Sequence, residues 1–264
     1  MHLKDKAILS TWLEYLDSLK LNLPLADVSL KSDPQALSVI TGVQQNLYNS
    51  VLIKSPENEA ALIQELQNIQ QSLQLPLTAW VSSLTQSSTV EMCLKQEFPS
   101  PGAFYGMLLP LHQAQITPCP KEITIEQITN QQQAEEYARL FSEVFNFPAL
   151  LERTINWVIR QTRDLEPSGY SFIARINGEL AGACTLMIDR RFKEFKTGGL
   201  YNACVLPKFR KYGIGTAMAC QRVNKAKELG LEYLSILLMS DAMARGYCQR
   251  LGFIHSGIMT PYYI

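Results

Sequence analysis

The 264-residue chain has no excess of charge of either sign: 24 Lys and Arg balance 24 Asp and Glu. A neutral chain has no chain-wide electrostatic grip on nucleic acid or on an anionic membrane. It also lacks long apolar runs. No stretch reaches the ~18 consecutive apolar residues that a membrane helix needs. The first residues, MHLKDKAILSTWLEYLDSL, carry charges through their first turns, which interrupts any signal-peptide core and predicts a soluble, cytoplasmic protein. Histidine is scarce, at His2, His112 and His255. The six cysteines form no CxxC pair and no His–Cys cluster, so no metal site is expected. Their spread through apolar runs suits a reducing compartment better than a disulfide framework. The two common phosphate-binding spacings, GxxxxGK[ST] and GxGxxG, are both missing.

What is present is apolar patterning for two ordinary cores, with 47% hydrophobic residues over a length comfortable for two domains. Apolar residues at helical spacing predict helices over 4–19, 57–73 and 89–96. Strands are expected over 36–41, 47–54, 77–81 and 103–109. The run His112–Pro120 has two prolines and no period, and reads as a linker. Beyond it come a strand at 122–127 and helices at 131–145 and 149–162. Strands at 170–176 and 179–189 are joined by Asn177-Gly178, the strongest short hairpin signal. A strand at 200–206, a helix at 216–229 and a continuous apolar strand at 233–239 follow. A short helix at 242–251 and a strand at 253–260 complete the order. The reading is an α/β chain with domains at 1–115 and 121–264. Each is expected to hold a central twisted mixed sheet flanked by helices.

Chemistry concentrates in Cys204-Val-Leu-Pro-Lys-Phe-Arg-Lys-Tyr-Gly-Ile-Gly-Thr216. A strand runs into a loop that carries Arg210, Lys211, Gly213 and Gly215 and opens a helix. Unpaired N–H groups and the positive dipole end of a helix attract anions. Glycines allow close backbone approach, and the two cations add charge.

Arg210-Lys-Tyr-Gly213-Ile-Gly215 resembles the pyrophosphate-binding (Q/R)xxGx(G/A) signature of the GNAT acyltransferase superfamily. Leu200–Pro207 resembles its fourth strand. Ser240 through Tyr247 to Gly252-Phe253 resembles its NxxAxxxYxxxGF pattern, with Ser240 for the Asn and Met243 for the Ala. The resemblance covers residues 121–264 and implies a GNAT fold and acetyl-CoA as co-substrate. By it, the backbone of Arg210, Lys211, Tyr212, Gly213, Ile214, Gly215 and Thr216 holds the pyrophosphate, and Ser240 belongs to the cofactor site. The strand at Cys204, Val205 and Leu206 pairs with the pantetheine arm, the Val205 N–H polarises the acetyl carbonyl, and Tyr247 protonates the leaving thiolate. Splaying of the fourth and fifth strands opens the cleft. The implied partner is an amine-bearing small molecule or peptide, with neither nucleic acid nor membrane, on a monomer or weak dimer.

For a general base the residues leave Glu143, Glu152, Asp189 and Glu194, or a water relay oriented by Tyr201 and Asn202. The basic, aromatic loop 189–196 falls near the acceptor mouth in this resemblance. Cys204 and Cys248 have no activating histidine nearby in sequence, which favours direct transfer over an acyl-cysteine. A catalytically silent acyl-CoA sensor or protein-interaction module is the competing reading, and the sequence is blind to longer acyl chains or hydroxyl acceptors.

The halves also resemble each other. Leu47-Tyr-Asn49 and Leu200-Tyr-Asn202 stand 153 apart (200 − 47), and Cys93…Phe98 and Cys248…Phe253 stand 155 apart (248 − 93). A near-constant offset predicts a tandem duplication. In the first copy Ser55-Pro-Glu-Asn-Glu-Ala60 replaces the glycine loop and Met92 falls at the position of Tyr247, so that half is expected to be a degenerate GNAT-like domain that binds no CoA.

Overall fold

The computed structural model describes residues 3–20, 27–83, 88–191, 193–239 and 244–264. Helix α1 (Leu3–Ser18) opens the chain, followed by strands β1 (Leu37–Ile40) and β2 (Asn49–Leu52). Then come α2 (Glu59–Leu73), β3 (Thr78–Ser82), α3 (Ser88–Glu97) and β4 (Phe104–Pro110). The second half holds β5 (Ile123–Gln127), α4 (Gln131–Phe145), α5 (Leu151–Arg163), β6 (Gly169–Ile176), β7 (Glu179–Ile188) and β8 (Thr197–Val205). It ends with α6 (Ile214–Glu228), β9 (Tyr233–Leu238), a π-turn at Ala244–Cys248 and β10 (Ile254–Tyr263).

The ten strands form one mixed sheet in the order β1-β2-β3-β10-β4-β9-β8-β7-β6-β5. This departs from the expectation of a sheet in each half. β2 lies parallel to β3 and β8 parallel to β9, so the unit strand–helix–parallel strand occurs once in each half. The last strand of each half, however, pairs with the other half. β4 runs antiparallel to β9, β10 runs antiparallel to β3, and β4 and β10 pair with each other between them. The exchange removes two sheet edges and makes the halves one body.

The hairpin between β6 and β7 turns at Asn177 (φ 50°) and Gly178 (φ 83°), both in the left-handed region that the type I′ turn demands. Helix α6 packs on one face of the second-half strands, where Ile214, Met218 and Val223 meet Leu186, Leu200 and Leu234. Helices α1, α4 and α5 cover the other face, where Leu16, Phe141 and Trp157 meet Ile173, Met187 and Tyr201. Helix α1 lies against strands of both halves. Its Trp12 ring sits 5.6 Å from Trp80 on β3 and 5.9 Å from Tyr201 on β8. A Cβ on Gly199 of β8 would come within 2.8 Å of Thr11, so glycine there lets α1 seat on the sheet.

Candidate acyl-CoA site

β8 and β9 pair only at Thr197–Gly199 with Tyr233–Ser235. β8 then continues alone to Val205, about 20 Å of strand edge at ~3.3 Å per residue. The two strands therefore splay towards their C-terminal ends. Between Ala183/Cys204 and Thr185/Tyr201 the β7–β8 register shifts, and Asn202 takes φ 53° in the resulting bulge. The Leu206 N–H donates to the Ala181 carbonyl at 2.9 Å. By the alternation of an antiparallel ladder, Val205 then turns its N–H and C=O to the opposite edge, towards the gap. Of the three residues that the sequence points to here, Val205 turns its backbone to the gap, where its carbonyl accepts from Arg210 Nε at 3.4 Å. The Cys204 and Leu206 side chains join the cluster under α1, α4 and α5.

The chain leaves β8 through Pro207–Phe209 and enters α6. Lys211 (φ 72°) and Gly213 (φ 85°) both adopt left-handed conformations around Tyr212, whose side chain is exposed. Gly213 caps α6, and no side chain accepts from its first N–H groups. A Cβ built on Gly215 meets nothing within 4 Å. The helix N-terminus thus faces a cleft of about 380 Å³ lined by Val205, Phe209, Arg210, Lys211, Gly213, Ile214, Gly215, Thr216, Tyr247 and Arg250. Three cations and a helix dipole converge there, an arrangement suited to a phosphate-bearing ligand. Phe209 and Arg250 escaped the sequence reading: Phe209 sits inside the motif as a spacer, and Arg250 arrives from a separate segment. Ser240 and Met243 lie outside the described residues.

Tyr247 stands on the π-turn. Four residues separate it from Gly252, one more than the family pattern quoted above allows. Counted back from Gly252-Phe253, the tyrosine position falls on Cys248. A π-turn takes up one extra residue, and this one leaves Tyr247 lining the cleft while Cys248 is fully buried. The Tyr247 hydroxyl donates to the Gly215 carbonyl at 2.7 Å, in the first turn of α6. Burial holds the phenol well above its ordinary range, and the Arg222 guanidinium partly offsets this. Arg222 is itself buried on α6 and donates to the Met218 and Thr185 carbonyls at 3.2 and 3.4 Å.

The thiols are held protonated. Burial raises Cys204 far above the usual thiol range and Cys248 to about 12, so neither is a thiolate nucleophile near neutral pH. Of the carboxylates considered as bases, Glu143 and Glu152 are exposed on α4 and α5. Asp189 is buried and accepts from the Ser10 hydroxyl at 2.6 Å and the Arg191 N–H at 2.9 Å. It follows β7 and donates its N–H to the Thr197 carbonyl at the start of β8, about 26 Å of strand from the cradle end. Asp189 and Arg191 are therefore tied to α1 at the far end of the strand, Arg191 lying 3.5 Å from Asp17. Tyr201 turns away from the cleft, its hydroxyl 3.1 Å from that of Thr11.

Residues 130–253 match the family model of the acetyltransferase (GNAT) family. This segment is a GNAT acetyltransferase domain. No curated protein matches the chain in sequence. Solved structures share the fold over nearly the whole chain. A GCN5-related N-acetyltransferase from Kribbella flavida superposes with a TM-score of 0.68 at 12% identity, covering 98% of this chain and 93% of its own. One from Sphaerobacter thermophilus gives 0.66 at 13%, covering 100% and 93%. A tandem GNAT protein from the clavulanic acid biosynthesis pathway gives 0.60 at 13%, covering 96% and 94%. At these identities the likeness establishes the fold, which includes the first half and not only the GNAT segment.

Proposed function

We propose that the chain is an N-acetyltransferase that moves an acetyl group from acetyl-CoA directly to an amine. The observation that carries this reading is the uncapped N-terminus of α6, opening with three cations onto a cleft beside the unpaired edge of β8. The N–H groups at Gly213–Thr216 take the pyrophosphate, and the Val205 edge takes the pantetheine as an added strand. A backbone N–H aimed at the thioester oxygen stabilises the tetrahedral oxyanion when the amine attacks. Tyr247 exchanges its bond to Gly215 for the departing thiolate and gives it a proton, and the proton that the amine nitrogen sheds passes to solvent, from which the phenolate is reprotonated. The first half is a degenerate GNAT-like copy that binds no CoA. Six free thiols, four of them buried, favour a cytoplasmic setting, and the internal strand exchange favours a monomer.

Calorimetry with acetyl-CoA tests the reading, comparing wild type with Gly215→Glu. Gly213 is a poorer site for the test, because its positive φ strains a side chain. Gly215 has open space around it, so a carboxylate there meets the pyrophosphate rather than the core. The expected result is binding that the substitution abolishes, followed by acetyl transfer in an amine panel. Wild type that binds no acetyl-CoA would refute it. The hydrogen bond from Tyr247 to Gly215 favours a second reading, an acyl-CoA-binding module without turnover. That reading predicts tight binding and no product with any amine.

A further inference from the structure

Helix α1 turns one face towards the segment after β7. Ser10, Glu14 and Asp17 follow one another on that face at helical spacing, and Ser10 bonds Asp189 there. Beside it, between α1 of the first half and α5 of the second, lies a polar cleft of about 190 Å³. We infer that this cleft binds a small zwitterion, an α-amino acid, with the ligand ammonium on Glu14 and the ligand carboxylate on Arg160 and Arg190. The cleft shares no residue with the acyl-CoA cradle, so the inference stands apart from the acetyl-transfer reading.

Three observations carry it. The first is a buried acid without a partner. Glu14 is only 8% exposed, yet among the described residues no hydrogen bond or ion pair meets its carboxylate. Burial holds the carboxyl above its ordinary range, and the Arg191 guanidinium only partly offsets this. An ammonium in the cleft would supply the missing partner. Gln161 lines the same cleft, and its buried Nε2 has no acceptor among the described residues. The second observation is the opposite charge. Arg160 donates to the Ser18 carbonyl at 2.9 Å and Arg190 to the Glu166 carbonyl, and among the described residues no carboxylate pairs with either. Both guanidiniums keep further donors for a ligand carboxylate. Unpaired charges of both signs in one cleft select a molecule that carries both. The third is room and place. A water needs about 10–15 Å³ of such space, so the cleft admits a molecule of several non-hydrogen atoms. Among the described residues no three acidic, cysteine or histidine side chains converge as metal ligands, which leaves an organic cation. Trp157 closes the cleft towards the β8 bulge: its indole N–H donates to the Ser18 hydroxyl at 3.0 Å, and its ring meets Tyr15 edge-on at 5.9 Å. An amine on Glu14 is thereby held away from the Val205 backbone, so the ligand is an effector and not an acceptor. It ties α1 to α5 next to Tyr15, whose hydroxyl donates to Asn202 Oδ1 in the bulge at 2.8 Å.

The experiment uses the full chain without acetyl-CoA. Calorimetry is run with glycine, serine, aspartate, glutamate and glutamine, beside ethylamine and acetate, which carry one charge each. At least one of the amino acids is expected to bind with a Kd below about 1 mM, and roughly tenfold or more tighter than either single-charge probe. At about 100 times its Kd it should raise Tm by roughly 5–10 °C. Glu14→Gln keeps the shape of the side chain and should weaken binding at least roughly tenfold. Arg190→Gln, at an exposed position, should weaken it at least about threefold and serves alone if Glu14→Gln does not fold. Both variants should leave acetyl-CoA affinity unchanged. No amino acid bound below about 1 mM, ethylamine or acetate bound as tightly, or an unchanged affinity in either folded variant would each overturn the inference. So would acetylation of the amino acid that Glu14→Gln abolishes, since the cleft would then hold the acceptor.

Discussion

Helices α2 and α6 occupy corresponding places, each leaving a strand whose parallel partner it leads to, yet their N-termini are built differently. At α2 the protein supplies its own acceptors. In the loop that leads into α2 the Asp33 carboxylate accepts from the Lys54 and Ser55 N–H groups at 2.7 and 3.1 Å, and at the helix itself the Asn58 side chain accepts from the Ala61 N–H at 3.0 Å. Glu59 adds negative charge in the first turn. At α6 the capping residue is Gly213, which has no side chain to make the bond that Asn58 makes. One helix end is neutralised internally and the other is left open. The same divergence marks the repeated Leu-Tyr-Asn. Asn49 is fully buried and accepts from the Thr41 and Gly42 N–H groups, whereas Asn202 sits in a bulge and bonds Tyr15. The same three residues keep a place at a strand in each half and differ in their hydrogen bonds.

The comparison breaks most sharply when α6 is given what α2 has. Gly215→Asp places a carboxylate in the first turn, as Glu59 does in α2, at a position where a Cβ meets nothing within 4 Å. Acetyl-CoA affinity should fall at least about 100-fold while the fold persists, since the anion then meets charge instead of open N–H groups. Calorimetry reads the loss, and circular dichroism verifies the fold. Next in size is Tyr247→Phe. It removes the proton donor and the bond to Gly215, and kcat should drop by roughly 10- to 100-fold with acetyl-CoA affinity little changed. Because burial raises this phenol, the wild-type kcat should show no alkaline fall from Tyr247 below about pH 10. A fall near pH 8 that vanishes in Tyr247→Phe would contradict the assigned environment.

The opposite experiment strips α2. Asp33→Ala leaves the Lys54 and Ser55 N–H groups without their acceptor and should cost about 2 kcal/mol, or roughly 4–8 °C in Tm for a chain of this size. Asn58→Ala should cost about 1 kcal/mol. Both should leave acetyl-CoA affinity unchanged. Affinity that fell in parallel with stability would mean that the first half shares in cofactor binding.

The cradle was legible in sequence because everything it needs is local: a strand, two glycines, two cations and a helix start lie within thirteen residues. The Asn-Gly hairpin was legible for the same reason. Strand exchange was not, since β4 and β10 are both apolar and their alternation says which face is buried, not which neighbour pairs. The aromatic cluster beside the β8 bulge was hidden as well. Tyr15, Tyr48 and Asn202 meet only because α1 crosses the sheet and β8 bulges, and neither event has a local signature. The one-residue excess between Tyr247 and Gly252 was written in the chain, but only the π-turn shows how the backbone absorbs it while Tyr247 stays in the cleft.

The smallest effect separates local charge from function. The basic loop 189–196 invites a role in acceptor binding, yet its charges already have work within the fold. Arg190 donates to the Glu166 carbonyl, and Arg191 lies against Asp17 of α1. Arg190 lines a separate polar cleft with Glu14, Asp17, Arg160 and Asp164, and Trp157 stands between that cleft and the aromatic cluster. Exposed pairs of this kind contribute about 0–1 kcal/mol. Arg190→Gln with Lys193→Gln should therefore leave acceptor KM and acetyl-CoA affinity within about twofold of wild type. A clear rise in acceptor KM would place the acceptor mouth at this loop.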